Sequence, residues 1–331
     1  MEKLKIGIIG TGYLGKLHSK LLRNHENAEF VGVYDADAEK AKSVAEEFGL
    51  KAFENDNSLI SLCDAIILVT PTSTHFDVAK KIIEAGKHVF IEKPITAEIK
   101  EAEELVELAR EKNVKIQVGH IERFNSALLA LEKYELEPMF IQTDRLAQFN
   151  PRGTDVAVVL DLMIHDIDII LSLIKSKVTQ INASGVAVVS DTLDIANARL
   201  EFENGAVANV TASRISLKKM RKMRMFQRDG YYSLDFTNGV AEVYRLLDPN
   251  EEKPEDLIAL GELGENENRK NVVYEQPKVA QVNAMEYEQQ LFIDAVLNDK
   301  RPVVNGEDGL RALRVAEQIV EQINERNKRL L

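Results

Sequence analysis

An apolar run, L-D-L-M-I-H-D-I-D-I-I-L-S-L-I from Leu160 to Ile174, is interrupted by Asp161, His165, Asp168 and Ser172. At about 100° per residue these four share a narrow arc on one side of a helix. A helix that is otherwise apolar all round is expected to be buried. Two carboxylates, an imidazole and a hydroxyl at this spacing suit three tasks. Asp161 and His165 can satisfy each other at the helix start. Asp161, His165 and Asp168 can ligate a metal, although no further ligand cluster accompanies them. Or the imidazole can move a proton, for which its pKa near neutrality is apt.

A second constellation lies at the N-terminus. Lys3 to Ile9 reads as a buried strand, G-T-G-Y-L-G follows at Gly10 to Gly15, and a helical segment runs from about Leu14 to Asn24. A further strand, Glu29 to Tyr34, ends at Asp35, 20 positions after Gly15. In that context Gly10 makes the tight turn, Gly12 lets backbone approach a pyrophosphate, and Gly15 lets helix and strand pack closely. The helix N-terminus offers N–H groups and partial positive charge to phosphates. Asp35 would accept hydrogen bonds from an adenosine ribose and repel a 2′-phosphate, favouring NAD over NADP. Thr11, Tyr13 and Leu14 lie in the same turn and join the candidate cofactor contacts.

The elements that must position these groups alternate. Ala65 to Thr70, His88 to Glu92 and Lys115 to Gly119 read as strands, Thr74 to Ala85 and Glu98 to Lys112 as helices. This predicts a doubly wound parallel sheet, whose ligands bind beyond the strands' C-terminal ends. Two segments leave strands at that edge: T-P-T-S-T-H, Thr70 to His75, and E-K-P-I, Glu92 to Ile95. Thr70, Pro71, Thr72, His75, Glu92 and Lys93 are therefore candidate cofactor contacts, with Arg123 just past the last strand. His75 and Arg123 would serve equally as structural hydrogen-bonders. Pro94 biases Lys93 towards an extended conformation and permits a cis bond.

After Gly119 the pattern changes. A short helix over about Asn125 to Tyr134 and a strand at Met139 to Leu146 precede the loop Asn150-Pro-Arg-Gly, where Arg152 is placed to meet a substrate. Ile195 to Phe202 and Ala206 to Ser213, then Lys219 to Gln227, Tyr231 to Phe236 and Val240 to Leu246, form strands joined by Asn-Gly and Asp-Gly turns. The reading is an α/β protein: a Rossmann domain over 1–123, then an α+β domain over 124–331 with a large, open, mostly antiparallel sheet. Helices cover one face, and the other suits a homodimer or homotetramer built through the open sheet. Asp248 to Asn271 is acidic and reads as an exposed loop; two helices, Ala284 to Leu297 and Asp308 to about Arg326, close the chain.

A net charge of −12 over 331 residues argues against nucleic-acid or anionic-membrane partners. The single Cys63 excludes a disulfide framework and suits a small buried hydrophobe. There is no signal-peptide pattern and no stretch long and apolar enough to span a bilayer, so a cytoplasmic protein is expected. Seven basic residues without an acid lie between Arg214 and Arg228. They suit either a diphosphate or a solvated strand face or subunit contact.

G-T-G-Y-L-G at 10–15, T-P-T-S-T-H at 70–75, E-K-P at 92–94, G-H-I-E-R-F-N at 119–125, D-L-M-I-H at 161–165 and G-E-D-G-L-R-A-L at 306–313 together resemble the Gfo/Idh/MocA family of nicotinamide-dependent sugar oxidoreductases. The resemblance spans essentially the whole chain. It implies roles for Lys93, from E-K-P, and for Asp161 and His165, from D-x-x-x-H. Some members have a cis Lys–Pro bond. G-H-I-E-R-F-N, the segment around D-L-M-I-H and A-N-A-R-L-E-F-E-N-G at 196–205 are similar to the UDP-N-acetylglucosamine 3-dehydrogenase branch, which oxidises the sugar at C3. Given that resemblance, catalysis is preferred over the capping and metal readings of the helix. His165 or Lys93 would take the hydroxyl proton, Lys93 would stabilise charge developing on the oxygen, and Asp161 would orient the imidazole or grip a neighbouring hydroxyl. Lys93, Arg152, Asp161 and His165 are the candidate substrate contacts, and no metal is expected. Two alternatives remain: a dehydrogenase of a free cyclitol or monosaccharide such as inositol, and a non-catalytic NAD-binding regulator.

Overall fold

The structure, a computed structural model, describes all residues except 1–2, 151–155, 249–250, 252–256, 265–268 and 330–331. It divides into two compact units, Met1–Ile121 with Asn283–Arg314, and Glu122–Val282 with Val315–Leu331. The second is therefore not one continuous block after residue 123. The chain returns to the first unit before it ends.

The first unit contains β1 (Leu4–Ile9), α1 (Tyr13–Leu22), β2 (Ala28–Tyr34), α2 (Ala38–Phe48), α3 (Asp56–Leu62), β3 (Ala65–Leu68), α4 (His75–Glu84), β4 (His88–Glu92), α5 (Ile99–Glu111) and β5 (Ile116–Gly119). The strands pair in parallel in the order β2-β1-β3-β4-β5. L-K-I-G-I-I and A-I-I-L are nearly continuous apolar runs because helices cover both faces of such a sheet. Helix starts are fixed locally. Asp37 caps α2, Asn55 caps α3, and Glu98 with Glu101 forms a capping box at α5. Cys63 is buried, and that burial pushes its thiol up to about 12, as suits a core residue.

The second unit contains α6 (Ser126–Leu129), β6 (Phe140–Leu146), a π-helical turn (Val159–Met163), α7 (Ile164–Leu173), and the strands β7 (Val178–Val186), β8 (Ile195–Phe202), β9 (Val207–Ser213), β10 (Met220–Gln227), β11 (Gly230–Asp235), β12 (Val240–Leu247), β13 (Ile258–Leu263) and β14 (Lys270–Glu275). Helix α8 (Ala284–Leu297) belongs to the first unit, and α9 (Gly306–Lys328) begins in the first and ends in the second. The sheet runs β13-β14-β12-β11-β10-β6-β9-β8-β7, and only the β6–β9 pairing is parallel. Burial alternates along β8, β9 and β12, the pattern of a sheet with one covered face. Helices α6 and α7 lie on that face.

Three local expectations need correction. The acidic segment expected as loop supplies β13 and the start of β14. Strand β13 is exposed along its whole length, so it shows no alternation to read, and pairing with β14 supplies what composition does not. The helix expected to reach Tyr134 stops at Leu129 and gives way to turns. The apolar run from 160 to 174 is not one regular helix, because its first turn is π-helical.

The covered face also carries charge. Arg145 of β6, 2% exposed, forks onto Asp166 of α7, with Nε and Nη2 donating at 2.9 Å to the two carboxylate oxygens. Its Nη1 donates to Glu122 at 3.2 Å, and Arg221 of β10 donates to the same Glu122 oxygen at 3.0 Å. Burial opposes the Arg145 charge, but Asp166 and Glu122 hold the guanidinium above its ordinary pKa. This network fastens α7 to the sheet. Arg145→Met should destabilise the protein by about 3–5 kcal/mol in urea unfolding, because it strands the buried Asp166 carboxylate and leaves Glu122 with Arg221 alone. Pairing it with Asp166→Leu should recover part of that loss. A cost for Arg145→Met below about 1 kcal/mol would mean that the charges are hydrated.

Candidate active site

Every glycine of the first turn has a visible reason. Gly10 has φ +97°, and a Cβ there would lie 2.5 Å from the Val69 carbonyl oxygen. A Cβ on Gly15 would lie 1.9 Å from the Gly10 oxygen. Gly12 differs, since its Cβ would meet no protein atom within 4 Å. It is the N-cap of α1, whose start has no side-chain cap and no acid in the first turn. The free N–H groups and positive dipole end are thus left for an outside anion. Tyr13 and Leu14 are exposed beside it. At the end of β2, Asp35 accepts from Thr11 N at 2.6 Å, Thr11 Oγ1 at 3.0 Å and Asp37 N at 2.9 Å. The carboxylate braces the turn and keeps acceptor capacity for a ribose hydroxyl.

The two edge segments are tied together by His75. Its Nδ1 lies 2.9 Å from the Pro94 carbonyl oxygen and its Nε2 2.9 Å from that of Thr70. Burial is the largest influence on this ring and lowers its pKa, while the two carbonyls favour the protonated form without reversing that direction. His75 is thus a structural bridge between T-P-T-S-T-H and E-K-P. Pro71 precedes the turn Thr72–Thr74, where the Thr74 hydroxyl lies 2.8 Å from both Thr70 Oγ1 and the Pro71 oxygen. The Lys93–Pro94 bond is cis. Glu92 is buried, accepts from Lys93 N at 3.1 Å and meets His18 Nε2 at 3.0 Å.

In the second unit, Asp161 stands on the π-turn and His165 at the start of α7, both half-buried. π-Turns recur at functional sites because they re-aim side chains out of helical phase. The rest of the stripe has other work. Asp168 is buried and accepts from Arg123 Nε and Nη2, each at 2.7 Å, and Ser172 donates to its own helix at Ile169 O. That bidentate pair occupies Asp168 and fixes Arg123 as a brace between the turn after β5 and α7. Among the described residues no cluster of three His, Cys, Asp or Glu could hold a metal. Arg152 lies outside the described residues. Of the basic segment, Arg221 serves Glu122, Lys222 approaches Asp235 at 3.6 Å, and Arg224 approaches Asp144 at 3.8 Å. These three belong to a paired strand surface.

Residues 4–120 match the family model described as an oxidoreductase family with an NAD-binding Rossmann fold, and 134–239 match the GFO/IDH/MocA C-terminal domain. The chain is 40% identical to the UDP-N-acetylglucosamine 3-dehydrogenase of Acidithiobacillus ferrooxidans, over 74% of this chain and 78% of that one. The chain belongs to the Gfo/Idh/MocA family. A solved structure of that relative superposes with a TM-score of 0.86, covering 98% of each chain at 34% identity. The scyllo-inositol 2-dehydrogenase (NAD(+)) of Bacillus subtilis is 30% identical over 64% of this chain and 68% of its own. The protein is thus an NAD-binding oxidoreductase, and the glycine cradle and uncapped helix fit that cofactor.

Sequence reasoning passed over His18, Gln289, Glu122, Arg145 and Asp166. The available signals were a lone His and a lone Arg at buried positions of an amphipathic helix and a strand, and the first carboxylate in H-D-I-D. No helix among the described residues is long and apolar enough to cross a membrane. Gly12→Ala and Gly15→Ala should separate two effects. The first has an allowed φ of −62° and open space, so it should weaken NAD binding at least 10-fold with little change in Tm. The second should lower both. Cofactor titration and thermal unfolding of the two variants check this, and unchanged NAD affinity in Gly12→Ala would remove the cradle assignment.

Proposed function

We propose that the protein oxidises the C3 hydroxyl of UDP-N-acetylglucosamine with NAD⁺. The observation that carries this reading is the likeness to the Acidithiobacillus dehydrogenase, which extends over nearly the whole of both chains. The intact E-K-P and D-x-x-x-H motifs support it. NAD supplies the acceptor for the hydride that leaves C3. The Asp35 carboxylate at the end of β2 favours a free ribose 2′-OH over a phosphate there. Lys93 hydrogen-bonds the reacting oxygen and stabilises the negative charge that develops on it. His165 accepts the hydroxyl proton, a task suited to an imidazole. Asp161, one turn before it, orients the ring or holds a neighbouring hydroxyl. Arg152, a few residues before Val159 in the sequence, contacts the substrate. Thr11, Thr70, Pro71 and Thr72 complete the cofactor wall, and His75 braces it.

Reduction of NAD⁺ on mixing enzyme with UDP-N-acetylglucosamine, at concentrations that reveal a single turnover, tests this directly. UDP-glucose, inositol and NADP⁺ run beside it. Lys93→Ala and His165→Ala should each lower the rate about 10²- to 10⁴-fold while NAD still binds. Full turnover in both variants would refute the assignment. Signal with inositol alone would move the substrate to a free cyclitol, and silence with every substrate would favour a non-catalytic NAD-binding regulator.

The oligomer follows from the uncovered sheet face. Ile258, Tyr274, Tyr244, Tyr231, Phe226, Phe140 and Val207 face one another directly across seven strands. Neighbouring rings from Phe140 to Tyr274 lie 4.7–5.9 Å apart. A continuous aromatic row of this kind on an open sheet suits a self-complementary contact, so we propose a homodimer or homotetramer through it. Light scattering should give a multiple of 37.2 kDa for the native chain and a monomer for Tyr231→Glu/Tyr244→Glu. A monomeric native protein would overturn the contact.

A further inference from the structure

A chain of buried hydrogen bonds ends on the backbone of Lys93. Gln289 of α8 places its Nε2 2.8 Å from His18 Nδ1 and 3.2 Å from the His18 carbonyl oxygen. A group that touches a carbonyl oxygen must be the donor, so Nδ1 receives the Gln289 N–H and carries no proton. The proton of the neutral ring then sits on Nε2 and points at Glu92 Oε1, 3.0 Å away. The other carboxylate oxygen, Oε2, accepts from Lys93 N at 3.1 Å. His18, Gln289 and Glu92 are 0%, 1% and 9% exposed.

The space for this arrangement is reserved by Gly119 of β5. A Cβ there would lie 2.8 Å from Glu92 Oε2 and 3.2 Å from the Glu92 Cα. A glutamate at a strand end would ordinarily extend into water, whereas this one is folded back onto the next residue. Three contacts keep it there: the imidazole in front, the amide it accepts from, and the bare backbone of Gly119 beside it. The imidazole comes from α1, the amide from the residue that follows β4 and the bare backbone from β5, with α8 fixing the tautomer.

We infer that Gln289, His18 and Glu92 form a positioning relay for Lys93, with Gly119 as its clearance. The relay sets the backbone from which the lysine ammonium is presented, and it rests on the role proposed for Lys93 above. Glu92 thereby acts on the reaction through Lys93 rather than through a direct contact with the reacting atoms. The relay makes Gln289 and His18 relevant to turnover although neither belongs to the E-K-P motif.

The test has a structural and a kinetic readout. Hydrogen–deuterium exchange at the Lys93 amide should be slow in the native protein without substrate. It should speed at least 10-fold in Glu92→Ala and in Gly119→Ala, and return towards native in Glu92→Gln, which keeps an acceptor. Turnover of UDP-N-acetylglucosamine should fall about 10- to 100-fold in Glu92→Ala, with KM for both reactants within about threefold of native and NAD still bound, because misplacement by about 1 Å costs about this much. Glu92→Gln should regain most of that loss, and Gln289→Leu should lie between. Unchanged exchange and unchanged turnover in Glu92→Ala would overturn the relay. So would a loss of NAD affinity in proportion to kcat, which would make Glu92 a cofactor ligand. If Glu92→Ala does not fold, Gln289→Leu and Glu92→Gln carry the same comparison. Failure of the substrate reading leaves the exchange result standing, and full activity of Lys93→Ala would remove the lysine's role whatever the amide does.

Discussion

The fork of Arg145 onto Asp166 is the constraint on which the second unit's geometry depends. A nine-stranded sheet with one covered face gives a helix an apolar bed but no unique orientation on it, since Val, Ile and Ala side chains tolerate sliding. A bidentate pair at 2.9 Å does not. Arg123 on Asp168 adds a second fork two residues further along α7. The two forks fix both the position and the rotation of the helix whose first residues include His165. Their contribution to specificity is larger than their contribution to stability, because each charge also had to leave water.

The first unit solves a different electrostatic problem. Its helices α2, α3 and α5 have their N-termini closed by their own side chains, as does α8 through Asn283. Helices α1 and α4 do not; α4 continues from the turn Thr72–Thr74, whereas α1 starts at the glycine turn. Leaving an N-terminus open sacrifices about 1 kcal/mol of capping. The return is a site where backbone N–H groups and the helix dipole converge on an anion. Asp35 meanwhile hydrogen-bonds the turn through Thr11, so one carboxylate braces the glycine turn against the end of β2.

Much of this was legible in the residues. The Rossmann pattern, the glycine turn, Asp35, the edge segments and the antiparallel hairpins follow from period, turn chemistry and spacing. What was not legible has two physical causes. Strand β13 and the early end of α6 are decided by tertiary pairing against weak local propensity. The π-turn breaks the 3.6-residue phase on which the stripe from Asp161 to Ser172 was drawn, so four residues that share an arc on a regular helix divide here into two pairs. Asp161 and His165 remain candidates for chemistry, while Asp168 and Ser172 are spent on Arg123 and on the helix itself. Partners such as Arg145 and His18 are invisible to any local rule, because what defines them is contact across 21 and 74 residues of sequence.

A common device emerges from the two units. Lys93 follows a buried carboxylate, Glu92, and His165 precedes one, Asp166. In each case the carboxylate is bonded to a distant element, α1 in the first unit and β6 in the second. A long side chain such as lysine cannot be immobilised at its charged end without spending the hydrogen bonds that its chemistry needs. Fixing the backbone one residue away restricts where that end can reach without drawing on the side chain's own donors. The same logic would hold for His165 in the role proposed for it. Buried charge beside a reactive residue is expensive in isolation. It is tolerated here because every such carboxylate has strong, directional partners, and because errors of about an ångström at the reacting atoms cost more in rate than the burial costs in stability.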